Sequence, residues 1–236
     1  MNPRNHRTVW AGTTEGLFKS MDAGATWNAI PGGGLRMVED IVIHPVDTTR
    51  MLTSVGNFFT SNYVLRTTDG GANWSPTSLP GYTGKTLLEL YGANPNSVYA
   101  SAADSTTGAG ALYKSSDFGT TWVKLIEYAA NSANTVFTVQ GWYSHFVAVH
   151  PTDSTQVVHA GVPVYKSTDG GKTFTQTTTG YVDHHGYAHH PTNPNILYVA
   201  NDDGVYRSDD FGTSFIDIGL GMQTGELYNG FSCSGS

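Results

Sequence analysis

One eight-residue phrase returns five times along this 236-residue chain, and each return ends on an aromatic ring. The copies run Ser20 to Trp27, Thr67 to Trp74, Ser115 to Trp122, Ser167 to Phe174 and Ser208 to Phe215, with aspartate third and glycine fifth in each. The aspartates Asp22, Asp69, Asp117, Asp169 and Asp210 stand about 41 to 52 residues apart. A period of that size marks a solenoid, a propeller or an array. The phrase has a physical job at a hairpin turn. An aspartate carboxylate accepts hydrogen bonds from backbone N–H groups further along, and glycine two positions on permits positive φ. The closing tryptophan or phenylalanine then returns to the sheet and buries a large apolar area.

Each phrase sits in a longer unit with strand alternation. A short aromatic or aliphatic strand precedes the aspartate, as in Leu17-Phe18-Lys19, Val64-Leu65-Arg66, Leu112-Tyr113-Lys114, Val164-Tyr165-Lys166 and Val205-Tyr206-Arg207. Another strand lies ahead of that, such as Ile196-Leu197-Tyr198-Val199-Ala200, and ahead of it a proline turn: Asn2-Pro3, His44-Pro45, Asn94-Pro95, His150-Pro151 or His190-Pro191. Proline lacks the N–H that a ladder needs, so it ends the strand before it. β-Branched and aromatic residues dominate and no long 3.6-residue period appears, so the chain is all-β. Four short strands per unit make the blade of a β-propeller. The expected single domain spans 1–236, with units at about 1–30, 37–78, 86–126, 143–177 and 183–218 and an extra inner strand at 225–233. The first unit starts at its proline turn and lacks an inner strand, so strand 225–233 is able to complete it and close a five-blade ring. A piece of a larger propeller has the same phase; its open faces would invite self-association or further blades.

Charge narrows the partners. Only 13% of residues are charged, against roughly 25% in a typical domain, and the net charge is −7 with 12 Lys and Arg. That balance argues against nucleic acid and anionic membrane as partners. No apolar run is long enough to span a bilayer, and the first residues lack the apolar stretch of a signal peptide. The lone Cys233 makes no internal disulfide and no zinc spacing.

The five phrases resemble Asp-boxes, also called BNR repeats. These repeats occur in sialidases, in xyloglucanase-type glycoside hydrolases, in sortilin-like (VPS10-type) receptor domains and in photosystem assembly factors. The resemblance implies a structural role for the five aspartates, on the face opposite the ligand site, and an extracellular or periplasmic setting, with a cytoplasmic one still open. It implies no cofactor. The sialidase arginine triad has no match, because Arg66 and Arg207 fill the slot held by Lys19, Lys114 and Lys166, and only Arg36 falls on the ligand face. The loop Thr13-Thr14-Glu15-Gly16 lacks the aspartate that the xyloglucanase resemblance calls for.

The loops opposite the Asp-boxes carry the candidate site, since rigid scaffolds present function on variable loops. Aligned on the proline turns, Glu39, Glu89, His145 and His185 each stand six residues before the proline. Four ionisable groups at one height predict a ring at the channel mouth, fit for acid–base chemistry or cation binding. A glycosidase needs paired carboxylates, for which Glu39, Glu89, Asp183 and Asp202 are candidates with His185. The run from Asp183 to His190 places neighbouring histidines on opposite faces of a strand, so no metal is expected there. Phe58, Tyr82, Trp142 and Tyr143, with His145, are candidates to hold a sugar or a peptide. The expected function is a glycan- or protein-binding module, with an extended peptide or a glycan as partner. The alternatives are a xyloglucanase-like endo-glucanase or an assembly scaffold.

Overall fold

Each repeat unit folds into one antiparallel sheet, and the computed structural model describes all residues except 33–34, 58–62, 78, 82–83, 105–106, 131–135, 139 and 222–236. Blade 1 holds β1, β2 and β3 (Val9–Gly12, Leu17–Ser20, Asn28–Ala29). Blade 2 holds β4 to β7 (Val38–Ile43, Met51–Val55, Tyr63–Thr67, Ser75–Thr77). Blade 3 holds β8 to β11 (Thr86–Leu90, Val98–Ala103, Gly110–Ser115, Val123–Tyr128). Blade 4 holds β12 to β15 (Phe146–Val149, Val157–Ala160, Val164–Ser167, Thr175–Thr177). Blade 5 holds β16 to β19 (His184–His189, Leu197–Asn201, Val205–Ser208, Ile216–Asp217). The first sheet has three strands, as the phase of the repeat implies; residues 225–233 lie outside the described residues. The first strands β4, β8, β12 and β16 line a channel of about 580 Å³.

The Asp-box builds the turn between the last two strands of every blade. In blade 3 the Asp117 carboxylate accepts the N–H and hydroxyl of Thr121 at 2.8 and 2.7 Å. Ser115 donates its hydroxyl to Asp117 at 2.8 Å and accepts the Gly119 N–H at 2.8 Å. The same set recurs around Asp22, Asp69, Asp169 and Asp210. The residue after the aspartate is left-handed in all five boxes: Ala23, Gly70, Phe118, Gly170 and Phe211 have φ of 63, 72, 54, 82 and 51°. For phenylalanine that backbone costs roughly 1–2 kcal/mol. Burial of Phe118 and Phe211, both 0% exposed, returns roughly 1.5–3 kcal/mol each, so the strain is offset. The closing aromatics are less uniform than expected. Trp122 is buried, Trp74, Phe174 and Phe215 are half-buried, and Trp27 is 42% exposed. The difference has a cause: the ring packs against the preceding blade, as Trp122 does by donating to Thr77 Oγ1 at 3.1 Å, and no lower-numbered blade stands ahead of Trp27.

The ladders correct one alignment. Ile43, Leu90, Val149 and His189 are the equivalent last residues of the inner strands, each opposite the first residue of the next strand. In blades 2, 4 and 5 the His-Pro turn follows at once, whereas blade 3 inserts Tyr91-Gly92-Ala93 before Asn94-Pro95. Glu89 is therefore level with Val42, Ala148 and Ala188. Thr86, not Glu89, is level with Glu39, His145 and His185.

His145 also departs from the expected ring, because its side chain turns into the core between blades 3 and 4. It is 1% exposed. Its Nδ1 lies 2.8 Å from Ser101 Oγ, which lies 2.8 Å from His159 Nε2, and His159 Nδ1 lies 3.0 Å from the Tyr128 hydroxyl. The low local dielectric strengthens the hydrogen bonds along such a buried chain and penalises a charge on any member. Burial pushes His159 down to about 3 and His145 well below the ordinary histidine value of 6.5.

Two outcomes follow from these contacts. Asp117→Ala lowers the melting temperature by several degrees, and Asp117→Asn, which retains one acceptor oxygen, lowers it less; thermal unfolding checks both. The pH dependence has two limbs. The histidines are held neutral in the folded chain, so their contribution is complete above pH 6.5 and is lost on acidification from 6.5 towards 3. The box carboxylates of Asp22, Asp69 and Asp117, lowered from 3.8 to about 2, contribute above 3.8 and lose that contribution as pH falls through 2. Melting temperature against pH should show the upper limb flattened in His159→Gln relative to its own value at pH 7.

Candidate functional site

On the face opposite the Asp-boxes, β-bulges interrupt two inner strands at Glu39 and His185. A bulge inserts one unpaired residue and re-aims its side chain. Between these two residues sits Lys85, which enters from the loop before β8 and is 8% exposed. Its ammonium donates to the Tyr143 carbonyl at 2.9 Å and lies 3.9 Å from Glu39 Oε2. Glu39 also accepts from Asn57 Nδ2 at 3.0 Å. Burial lowers Lys85, with the Glu39 charge opposing that shift.

Tyr143 passes the connection to blade 5. Its ring meets the His185 ring edge-on at 4.9 Å and 89°, and His185 Nε2 lies 2.6 Å from Asp202 Oδ1. Asp202 rides on a tight turn whose next two N–H groups, Asp203 and Gly204, both donate to Asn201 Oδ1. Tyr206 fixes the same turn by donating to Asp203 at 2.7 Å. Trp142 packs on Tyr143 at 5.5 Å and keeps 40% of its surface open. Asp183 has a left-handed backbone, φ 59°. Its carboxyl is pushed up by burial and by the neighbouring Asp202 charge, against a smaller downward pull from His185. Asp183 thus differs from the hydrogen-bonded Asp202 in its surroundings, being raised by burial and by the Asp202 charge.

A second set of groups lies deeper, in the channel wall. Asp40 Oδ2 accepts the free-edge N–H of Leu88 at 2.8 Å, tying blade 2 to blade 3. Burial pushes Asp40 up to about 6, with Glu89 and Glu39 adding to the rise and the Leu88 and Ile41 N–H groups opposing it. Glu89 accepts from the Tyr187 hydroxyl at 2.6 Å and lies 3.1 Å from His189 Nε2.

Of the residues singled out from sequence, Glu39, Trp142, Tyr143, His185 and Asp202 come together through contacts that run from blade 2 to blade 5, and Asp183 feels the charges of His185 and Asp202. Glu89 belongs to the channel and His145 to the core. Phe58 and Tyr82 lie outside the described residues. Lys85 is the member that the sequence reading missed; a lysine in a glycine-rich loop of a chain so poor in basic residues was its available signal.

Comparison with known proteins bears on this arrangement. A model of the family described as Sortilin-Vps10 (sortilin, neurotensin receptor 3) matches residues 15–157. A xyloglucanase from a Paenibacillus species is 29% identical over 196 residues, covering 71% of this chain and 19% of that protein. Among solved structures, an ancestral GH74 enzyme superposes with a TM-score of 0.75 at 17% identity, covering 96% of this chain and 31% of the other. The Niastella koreensis GH74 enzyme gives 0.68 at 20% identity, covering 91% and 36%. The chain spans about a fifth of the length of the curated relatives it matches. At these identities the solved structures speak for the fold.

Proposed function

The chain belongs to the Sortilin-Vps10 family, and from that premise we propose that it is a binding propeller whose ligand is a glycan of the β-glucan or xyloglucan class, met outside the cell. One observation carries the reading: an exposed indole linked through Tyr143 and His185 to the half-buried carboxylate of Asp202. Trp142 offers a flat apolar face, and Tyr143, His185 and Asp202 behind it are held by contacts of 2.6 to 4.9 Å. Sugar rings stack their C–H faces on such an indole while their hydroxyls donate to carboxylates. The matched xyloglucanase supports the choice of ligand class. A closed five-blade ring and an arc of a larger propeller serve this reading equally, because blades 2 to 5 supply every residue named.

The alternative is hydrolysis of the same class of glycan. Asp183 and Asp202 supply the pair of carboxyl groups that a glycosidase needs at the bond, and burial raises Asp183 from its ordinary value. In that case Asp183 donates the proton to the leaving oxygen, and Asp202, oriented by His185, acts as nucleophile or base.

Isothermal titration with xyloglucan oligosaccharides separates these readings. Binding without turnover is expected, with Trp142→Ala weakening it roughly 3- to 10-fold and Trp142→Phe weakening it less. Absence of binding across β-glucan and xyloglucan ligands by well-folded protein overturns the glycan reading. Release of reducing ends, abolished by Asp183→Asn or Asp202→Asn with binding retained, establishes the hydrolytic alternative instead.

A further inference from the structure

Two loops meet on one alanine. Ala103, the buried last residue of β9, lies between the loop that enters β8 and the connection from β11 to β12. A Cβ at Gly84 would overlap the Ala103 carbonyl oxygen, and one at Gly141 would lie 2.5 Å from the Ala103 Cβ. Glycine is the residue that lets backbone come this close. The Ala103 N–H donates to the Lys85 carbonyl at 2.9 Å, so the lysine next to Gly84 is fixed at its root. The connection is anchored as firmly. Phe137 is 0% exposed and meets the rings of His145 and His159 edge-on at 5.2 and 5.5 Å, and a Cβ at Gly110 would overlap its ring.

The anchored stretch ends before the platform. From Phe137 the chain turns outward, with the Gln140 N–H donating to the Phe137 carbonyl and the Tyr143 N–H to the Gln140 carbonyl, both at 2.8 Å. Trp142 and Tyr143 stand on the outer of these turns, and Trp142 keeps 40% of its surface open. A tie back to blade 3 comes from the Lys85 ammonium, which donates to the Tyr143 carbonyl at 2.9 Å. Packing alone does not call for a charge there. Methionine fills much the same volume, and exchanging buried ions for apolar side chains is often neutral or stabilising. The ammonium is instead kept at 8% exposure, 3.9 Å from a glutamate, Glu39, that Asn57 holds at 3.0 Å. What the charge adds is direction, because an ionised donor bonds a carbonyl roughly twice as strongly as a neutral one. Glu39 and His185 line the channel, whereas Lys85 is not among its lining residues.

We propose that Lys85 is the positioning residue of the ligand platform: its ammonium, held against Glu39 of blade 2, fixes the Tyr143 carbonyl and so sets the Trp142 indole and the Tyr143 ring. The Tyr143 ring in turn meets His185 edge-on at 4.9 Å. Blades 2 and 3 thereby act on a ligand that they do not touch. The purpose of this role rests on the glycan reading above, whereas the placement of Trp142 by Lys85 is a property of the protein alone.

Fluorine spectroscopy and a double-mutant cycle test it. The full chain is labelled with 5-fluorotryptophan, and the Trp142 resonance is assigned by its loss in Trp142→Phe. In ligand-free Lys85→Met that resonance is expected to shift or broaden while the other indoles hold their positions. Lys85→Arg keeps a charged donor and is expected to recover part of the displacement. Glu39→Gln loosens the ammonium without emptying its place, so it moves the same resonance by less, and it carries the test if Lys85→Met does not fold. An unmoved Trp142 resonance, an equal shift of every indole, or an arginine variant displaced as far as the methionine one overturns the proposal. Titration with xyloglucan oligosaccharides supplies the second arm. Lys85→Met is expected to weaken binding roughly 3- to 10-fold in the parent and at most about 2-fold in a Trp142→Ala background. Equal losses in both backgrounds put Lys85 on the ligand itself and overturn the positioning role. A folded parent that binds no glycan sinks the ligand reading, and the fluorine spectra then decide the placement by themselves.

Discussion

Everything in this molecule hangs on a carboxylate that replaces backbone partners at a hairpin. Each box aspartate accepts one N–H and one side-chain donor four residues on, and a serine or threonine two residues before it holds its other side. The turn is thereby locked with its next residue in a left-handed conformation and its following glycine facing the neighbouring blade. In blades 2 to 5 the same hydrogen-bonded turns therefore also present the surface on which the blades meet. One constraint sets both the local hairpin and the spacing of the sheets, and the opposite face is left free to vary.

That freedom shows in the candidate site. Its members come from four blades, and none repeats: Glu39 at a bulge, Lys85 in a loop, Tyr143 in the long connection after blade 3, His185 at a second bulge and Asp202 on a tight turn. The Asp-box side is uniform because it carries packing, whereas the loop side is irregular because blade packing does not constrain it. The chain's shortage of charge sharpens this contrast. On this face a lysine is taken out of water beside Glu39, and a histidine is seated 2.6 Å from Asp202.

The blades were legible in the sequence because the box states its own geometry, aspartate for the acceptor and glycine for the close approach. The three strands that blade 1 shows among the described residues were legible from the phase of the proline turns. The site was legible only in part. Counting back from proline placed Glu39, His145 and His185 at one level, but it misplaced Glu89, because Tyr91-Gly92-Ala93 lengthens a turn that looks the same at its proline. The bulges at Glu39 and His185 leave no mark in the residues, since they depend on pairing with the next strand. His145 was misread for a related reason: only the structure reveals that Ser101 and His159 wait for it in the core.

The hydrogen bond from Tyr187 to Glu89 has a mechanical meaning. It joins residues 98 apart, in blades that blade 4 separates. The arc of sheets therefore carries a chord, and blade 4 is the span between two pinned ends. Its width is set from outside as well as by its own core, so swelling or shrinkage of blade 4 works directly against a phenol–carboxylate bond. Trp142 and Tyr143, carried on the connection into that blade, inherit the stiffness of the truss that the chord completes.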